Sequence, residues 1–193
     1  LCTSKQILAK SESIFLSLNP MNLKEYIPVV PNWPKPGVNF LDISGITINP
    51  LAMSYCVERL VECITDNDIT SIVAVDSRGF LFAGAAGIQS ATPVVLARKK
   101  GKLPGECYSH TYATEYSTDT VELQKNSVLG ARPLIMDDLL ATGGTILAVN
   151  YLIKQNFTVE SVFAAVVINL KFLPGEKQLA DHSILLTSIV NYE

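Results

Sequence analysis

The sequence predicts an α/β fold with a mainly parallel, twisted sheet and helices on both of its faces. Short apolar runs alternate along the chain with stretches of helical character, an order typical of parallel strands joined by helices. The runs are apolar at almost every position, as expected for strands that helices cover on both sides. The chain has 193 residues, of which 48% are hydrophobic and 17% charged, enough for one domain with a full core. We therefore expect a single domain over residues 1–193.

The first predicted elements are a helical region, a proline-rich loop and a long helix. Residues 1–27 carry spaced apolar side chains that favour a leading helix or two, and the prolines of residues 31–37 exclude a helix there. Asn49-Pro50 starts a helix that continues to Ile64, because proline is favoured in a first helical turn. The later pattern predicts strands at 72–75, 93–97, 133–136 and 162–168, helices at 79–89 and 143–155, and an edge strand at 183–189.

Residues 101–125 interrupt this alternation of strands and helices. They are polar and rich in threonine and tyrosine, and we expect no buried apolar face along them. A long polar segment within a compact domain is typical of a flexible lid over a binding site. A solvated surface hairpin is the alternative that composition leaves open.

Composition and cysteine spacing argue against several classes of function. The formal net charge of −3 argues against broad binding of nucleic acid or of an anionic membrane surface. No apolar run approaches the length of a membrane span. The four cysteines form no C-x-x-C pair and the chain has two histidines, so zinc-type spacing is absent. These features, with an N-terminus unlike a signal peptide, predict a reduced, cytoplasmic protein.

The strongest chemical signal lies between Pro133 and Thr145. An apolar strand ends in two carboxylates, and a short glycine-rich loop leads from them into a helix. A helix N-terminus offers unpaired N–H groups and the positive end of a dipole, which suit a phosphate. Carboxylates repel a phosphate, but they can accept hydrogen bonds from a sugar diol beyond it or help to hold Mg²⁺. The predicted binders of phosphate and ribose are Asp137, Asp138, Ala141, Thr142, Gly143, Gly144 and Thr145.

Other phosphate-binding motifs do not fit this loop. Thr145 follows Gly144 where a P-loop nucleotide site needs lysine, and the G-x-G-x-x-G fingerprint of dinucleotide sites is absent. An ordinary helix start capped by aspartate is the alternative without a binding role. The residues therefore favour a ribose 5-phosphate as the ligand.

Two further clusters suit an anion. Asp76-Ser-Arg-Gly79 follows a predicted buried strand and precedes a helix, so it forms a second anion-binding corner with Arg78 as its cation. The densest basic cluster of this acidic chain follows the next predicted strand and consists of Arg98, Lys99, Lys100 and Lys102. A solvated charge run is the alternative interpretation of that cluster.

The chain resembles adenine phosphoribosyltransferases over residues 26–179, in five ordered blocks with family-like spacing. The blocks are Pro36–Ile43, Asp76–Phe80, Arg98–Gly105, Glu115–Tyr116 and Leu134–Thr145. The last block is similar to the phosphoribosyl pyrophosphate (PRPP) signature of type I phosphoribosyltransferases. The resemblance implies the fold of that group, with an N-terminal helix and purine-binding hood in residues 1–45 and a flexible β-hairpin lid in residues 101–125.

The resemblance also implies a reaction and its participants. Adenine and PRPP would give AMP and pyrophosphate in a homodimer, with no nucleic-acid or membrane partner. Mg²⁺ would be held mainly by PRPP, assisted by Asp137 and Asp138. A phosphoribosyltransferase for a 6-oxopurine (hypoxanthine, guanine or xanthine) keeps the same phosphate chemistry and is the first alternative. A PRPP-binding regulator without catalysis is the second, although such proteins normally carry an added DNA-binding domain.

The resemblance assigns roles to single residues as well. Glu115 is implied to handle the purine proton, although the same segment contains the rival acids Glu106, Asp119 and Glu122. The leaving pyrophosphate is implied to contact Arg78, Arg98, Lys99 and Lys102. The adenine ring is implied to lie between one segment with Asn39, Phe40 and Leu41 and, on its other side, Leu173.

Two departures from the family pattern fall at the implied base pocket. Leu41 stands where the family usually has arginine, and Phe172-Leu-Pro-Gly175 differs from the common Leu-Lys-Gly-Arg version. Both bear on the choice of adenine more than on the reaction.

Overall fold

The computed structural model describes residues 21–113 and 118–193. The chain forms two compact units, one ending at Tyr55 and the other extending from Cys56 to Glu193. In the first unit, the described end of the predicted leading helix is a 3₁₀ turn at Leu23–Tyr26. The remainder of that prediction, residues 1–20, lies outside the described residues.

The rest of the first unit is a short antiparallel strand pair followed by a helical turn. Its elements are β1 (Val29–Pro31), β2 (Asn39–Leu41) and α1 (Ser44–Thr47). The loop between the two strands contains no helix, as its prolines predicted.

The long helix α2 (Pro50–Asp66) begins in the first unit at the predicted proline. The side chain of Asn49 caps it, because Asn49 Oδ1 accepts hydrogen bonds from the backbone N–H groups of Leu51 at 3.0 Å and Ala52 at 3.1 Å. The predicted start is therefore confirmed, and the helix continues two residues beyond its predicted end.

The second unit is an α/β sheet structure. Its elements are β3 (Ser71–Val75), α3 (Gly79–Ser90), β4 (Val94–Lys99), β5 (Cys107–Ala113), β6 (Thr118–Gln124), β7 (Pro133–Leu140), α4 (Gly144–Asn156), β8 (Phe163–Leu170), α5 (Gly175–Asp181) and β9 (Leu185–Tyr192). The sheet has seven strands in the order β5-β6-β4-β3-β7-β8-β9. Strands β4, β3, β7, β8 and β9 are parallel, and the β5–β6 hairpin pairs antiparallel with β4. The predicted mainly parallel sheet is confirmed, with β9 at one edge.

Alternate residues of the central strand face helices on opposite sides of the sheet. Val73 and Val75 belong to the hydrophobic core that includes Val149 of α4. Ile72 faces α3 instead, since a methyl group at Gly87 of α3 would lie 3.6 Å from its Cδ1. All residues of β3 are buried, as expected for a strand covered on both faces. No helix of the described residues is long and apolar enough to cross a bilayer.

Strand β7 is longer than predicted, and this changes where the acidic pair lies. The prediction ended the strand at Met136, but β7 continues to Leu140. The cause is its parallel partner β8, which pairs with Asp137 through Val166 and with Leu140 through Asn169. The two aspartates therefore lie within the paired part of the strand rather than after its end.

The β5–β6 hairpin contributes to the core, so the expectation that residues 101–125 lack a buried apolar face was wrong. Val121 and Leu123 are buried, and the ring of Tyr108 packs edge-on against Phe157 at 5.8 Å. The inward residues alternate with polar ones along the strands, and this alternation is obscured in the sequence by the surrounding threonines. The residues at the tip, 114–117, lie outside the described part of the chain.

Candidate active site

The predicted phosphate loop connects the carboxyl end of β7 to the N-terminus of α4. Gly143 is the residue that turns the chain, with φ of 86°, a left-handed conformation that glycine adopts without strain. The loop surrounds a cavity of about 100 Å³ lined by Asp137, Leu139, Leu140, Ala141, Thr142, Gly143, Gly144, Thr145 and Ile146. The structure thus brings Asp137 and the predicted loop residues around one concave surface at a helix N-terminus, which favours an anion.

The start of α5 supports this loop from behind. Gly175 N–H donates a hydrogen bond to the carbonyl oxygen of Ala141 at 3.1 Å. A Cβ atom at Gly175 would overlap that oxygen and would come within 2.9 Å of the Leu140 side chain. The close approach of the two backbones therefore requires glycine at position 175.

The two aspartates of β7 have different surroundings. Asp138 is buried and forms an ion pair with Arg78, whose Nε lies 2.8 Å from Asp138 Oδ2. Asp137 is half-buried, and its Oδ1 accepts a hydrogen bond from its neighbour's backbone N–H at 2.8 Å. Burial, and then the negative charge of Asp138, raise the pKa of Asp137 well above its usual value.

Arg78 reaches the acidic pair because α3 begins very close to β7. A Cβ atom at Gly79 would lie 2.8 Å from the carbonyl oxygen of Met136, so only glycine allows this approach. The predicted second anion corner, residues 76–79, therefore lies beside the phosphate loop. The structure brings its arginine and the acidic pair together, a contact that sequence reasoning did not predict.

The four residues of the basic cluster at the end of β4 have different surroundings. Arg98 Nε lies 3.0 Å from Asp76 Oδ2, and its Nη1 donates to the carbonyl oxygen of Lys102 at 3.2 Å. Lys99 Nζ lies 3.0 Å from Asp119 Oδ2, and this hydrogen bond and charge raise the pKa of Lys99. The side chains of Lys100 and Lys102 are exposed.

A second cavity, of about 230 Å³, joins the basic cluster to the end of the phosphate loop. Its polar lining consists of Asp76, Arg98, Lys99, Tyr112, Asp119, Thr120 and Thr145. Sequence reasoning missed Tyr112 and treated Asp119 only as a rival acid. The Tyr112 hydroxyl lies 3.0 Å from Thr145 Oγ1, a contact between residues distant in sequence that no local motif signals.

The residues predicted at the base lie in separate parts of the fold. Asn39, Phe40 and Leu41 form β2, where the Phe40 ring contacts the Trp33 ring with centroids 4.3 Å apart. Leu41 is buried in the first unit, which accounts for an apolar residue at that position. Leu173 is half-buried in the loop before α5. Glu115 lies outside the described residues, and all these roles remain predictions.

Comparison with known proteins identifies similar chains. Residues 45–185 match the family model of the phosphoribosyl transferase domain. The adenine phosphoribosyltransferase of Rhodospirillum rubrum is 41% identical over 174 residues, covering 90% of this chain and 99% of that protein.

Two solved structures extend the similarity to the fold. The adenine phosphoribosyltransferase of Thermoanaerobacter pseudethanolicus superposes with a TM-score of 0.80 at 36% identity, covering 88% of this chain and 98% of that one. The enzyme of Giardia lamblia, complexed with 9-deazaadenine, gives a TM-score of 0.85 at 29% identity and covers 92% and 99%. The predicted fold is therefore confirmed.

Proposed function

The chain belongs to the phosphoribosyl transferase family, and we propose that it joins adenine to PRPP, releasing AMP and pyrophosphate. It is thus a pentosyltransferase of purine salvage. The observation that carries this proposal is the passage of an acid-bearing strand into a helix N-terminus around the cavity at residues 141–145. Relatives named adenine phosphoribosyltransferase match this chain over nearly the whole of their own length.

The proposed reaction needs two anion sites and an acidic group between them. Adenine N9 forms a bond to C1′ of the sugar while the bond from C1′ to pyrophosphate breaks. The loop amides and the hydroxyls of Thr142 and Thr145 bind the 5-phosphate. Asp137 and Asp138 accept hydrogen bonds from the ribose hydroxyls, and their charge stabilises the positive sugar that develops as pyrophosphate leaves.

The pyrophosphate site is proposed at Arg78, Arg98, Lys99 and Lys102. Three of these cations form ion pairs within the described residues, with Asp138, Asp76 and Asp119 respectively. Pyrophosphate carries more charge than a carboxylate, so it can compete for each cation and join them in one network. The 230 Å³ cavity, which is lined by Arg98, Lys99 and Thr145, supports this location.

The base is proposed to contact Asn39, Phe40, Leu41 and Leu173. Glu115 is proposed to take the proton from N9 as the new bond forms. Leu41 is apolar and buried, so it cannot supply a polar contact to the base. Base selectivity is instead proposed to come from backbone C=O and N–H groups that match the amino group and N1 of adenine.

Mg²⁺ is proposed as the cofactor, held mainly by PRPP. The described residues contain no group of three or more His, Cys, Asp or Glu side chains placed to hold a metal ion. Mg²⁺ usually binds through substrate phosphates with one or two carboxylates, and the adjacent Asp137 and Asp138 fit that assisting role. When bound, the ion would neutralise charge on the departing pyrophosphate.

A cytoplasmic homodimer is proposed as the working form. Leu81 and Ile88 lie two turns apart on α3 and are 52% and 87% exposed, and Leu96 on β4 is 39% exposed. Leu81 and Ile88, seven residues apart, lie on the same face of α3, and an exposed apolar helix face supports a protein interface. The described cysteines Cys56, Cys63 and Cys107 are unpaired, which supports a reducing compartment.

Turnover of different bases with PRPP tests the proposed function. We expect adenine to give AMP and pyrophosphate, with kcat/KM for guanine and hypoxanthine lower by about 100-fold. A site paired with adenine leaves its polar groups unsatisfied by a 6-oxopurine, which reverses the donor and acceptor pattern. Product formation can be followed by chromatography of the nucleotides. Faster turnover of guanine than of adenine would assign the chain to a 6-oxopurine enzyme instead.

Replacing Gly175 by alanine is expected to raise KM for PRPP by about tenfold and to lower stability by about 1–3 kcal/mol. The new Cβ would force the Ala141 carbonyl, and with it the phosphate loop, out of position. Steady-state kinetics and urea unfolding measure the two effects. Lys177→Ala, an exposed change on the same helix, is the control. Unchanged KM in Gly175→Ala would show that α5 does not support the loop.

A further inference from the structure

Tyr112 connects the β-hairpin to the proposed phosphate site. Its hydroxyl lies 3.0 Å from Thr145 Oγ1 in the first turn of α4. Its ring lies over Gly144, where an added Cβ would be 3.6 Å from the ring atom Cδ2. The residue is half-buried and forms part of the wall of the 230 Å³ cavity.

The direction of this hydrogen bond depends on what Thr145 does for the ligand. A threonine hydroxyl has one proton to donate and two lone pairs that accept. When that proton is donated to a phosphate oxygen, the Tyr112 hydroxyl must be the donor to Oγ1. Burial is the main reason that the pKa of Tyr112 is raised, so its proton is retained at neutral pH. The two hydroxyls then form a chain in which each hydrogen bond strengthens the next.

We propose that Tyr112 is a positioning residue that orients the Thr145 hydroxyl as a donor to the sugar 5-phosphate. This inference rests on the proposed function, because it requires a phosphate at the loop. The same rung of the hairpin pairs Tyr112 with Asp119, and Asp119 holds Lys99 at 3.0 Å. Of this residue pair, Tyr112 contacts the phosphate loop and Asp119 contacts the basic cluster. The hairpin is therefore part of the proposed substrate site.

Ribose 5-phosphate is the probe that tests this role, because it lacks both the base and pyrophosphate. In calorimetric titration, Tyr112→Phe is expected to weaken its binding by about fivefold, the effect of one hydrogen bond. Thr145→Val is expected to weaken it by about tenfold, since the donor itself is lost. The double variant should bind like Thr145→Val, because Tyr112 acts only through that hydroxyl. Tyr108→Phe removes a hydroxyl from the same strand at a ring that packs on Phe157, and should bind normally.

A second readout separates positioning from a purely structural effect. Loss of a polarised donor raises the pKa of the bound phosphate, and ³¹P NMR measures that pKa. We expect a raised phosphate pKa in Tyr112→Phe and the wild-type value in Tyr108→Phe. Additive losses in the double variant, or unchanged binding in Tyr112→Phe beside weakened binding in Thr145→Val, would overturn the role of Tyr112 and leave the proposed function standing. A wild-type chain that does not bind ribose 5-phosphate would overturn the phosphate site and this inference together.

Discussion

Asp137→Asn is expected to lower kcat/KM by about 10³-fold while making the folded chain more stable. Asparagine has the same shape, and its amide oxygen can still accept the backbone hydrogen bond that Asp137 Oδ1 receives at 2.8 Å. It has no negative charge, so it cannot stabilise the positive sugar in the transition state. The loss should therefore appear in kcat more than in KM.

The gain in stability follows from the same surroundings. Burial and the Asp138 charge raise the pKa of Asp137, so the folded state binds its proton more tightly than the unfolded state does. The wild-type free energy of unfolding therefore falls as pH rises from the ordinary aspartate pKa through the raised one. Above that window, the variant should be more stable than the wild type by about 1–2 kcal/mol, and below it the difference should disappear.

Kinetics at neutral pH and urea unfolding at several pH values measure the two effects. Asp181→Asn, an exposed change at the end of α5, is the control for both. Turnover of Asp137→Asn within twofold of the wild-type value would remove this residue from the reaction. A stability difference that does not change with pH would contradict the raised pKa.

The sheet and the glycine-rich turn before α4 could be predicted because their signals are local. The apolar runs around Ile72 and Val166 and the small residues at 143–144 are each readable within a few positions. The extension of β7 through Asp137 was not readable, because two carboxylates look like the end of a buried strand. Pairing with β8 keeps the strand going, and pairing is a property of two distant segments.

The contacts that organise the site were beyond sequence reasoning for a similar reason. Arg78 meets Asp138 because Gly79 allows α3 to start against β7. Tyr112 meets Thr145 because the hairpin register places it over the helix start. Each contact joins residues of different motifs, and no motif alone contains the geometry. The residue types therefore predicted a phosphate site, whereas the packing determined which of the predicted groups lie next to each other.

Glu115→Gln is expected to lower kcat by about 10³-fold and to leave AMP binding unchanged, because it removes the group proposed to handle the purine proton. Each rival acid of the same segment binds another group of the protein. Glu122 is buried, accepting from Gly101 N–H at 2.9 Å and from Ser109 Oγ at 3.1 Å. Asp119 holds Lys99, and Glu106 lies 3.0 Å from Lys125. This distribution supports Glu115 as the residue for proton transfer.

Single-turnover kinetics with adenine and PRPP, beside calorimetry with AMP, provides the measurement. Glu106→Gln is the matched control, since it changes an exposed acid of the same hairpin that pairs with the surface residue Lys125. If the chain is an enzyme, Glu115→Gln should lose rate and Glu106→Gln should keep it. A regulator that binds PRPP without catalysis would show no turnover in the wild type or in either variant. If Glu115→Gln and Glu106→Gln both retain wild-type rates, proton transfer must occur elsewhere. Asp137 of β7, whose pKa is raised by burial and by the charge of Asp138, would then be the next acid to test.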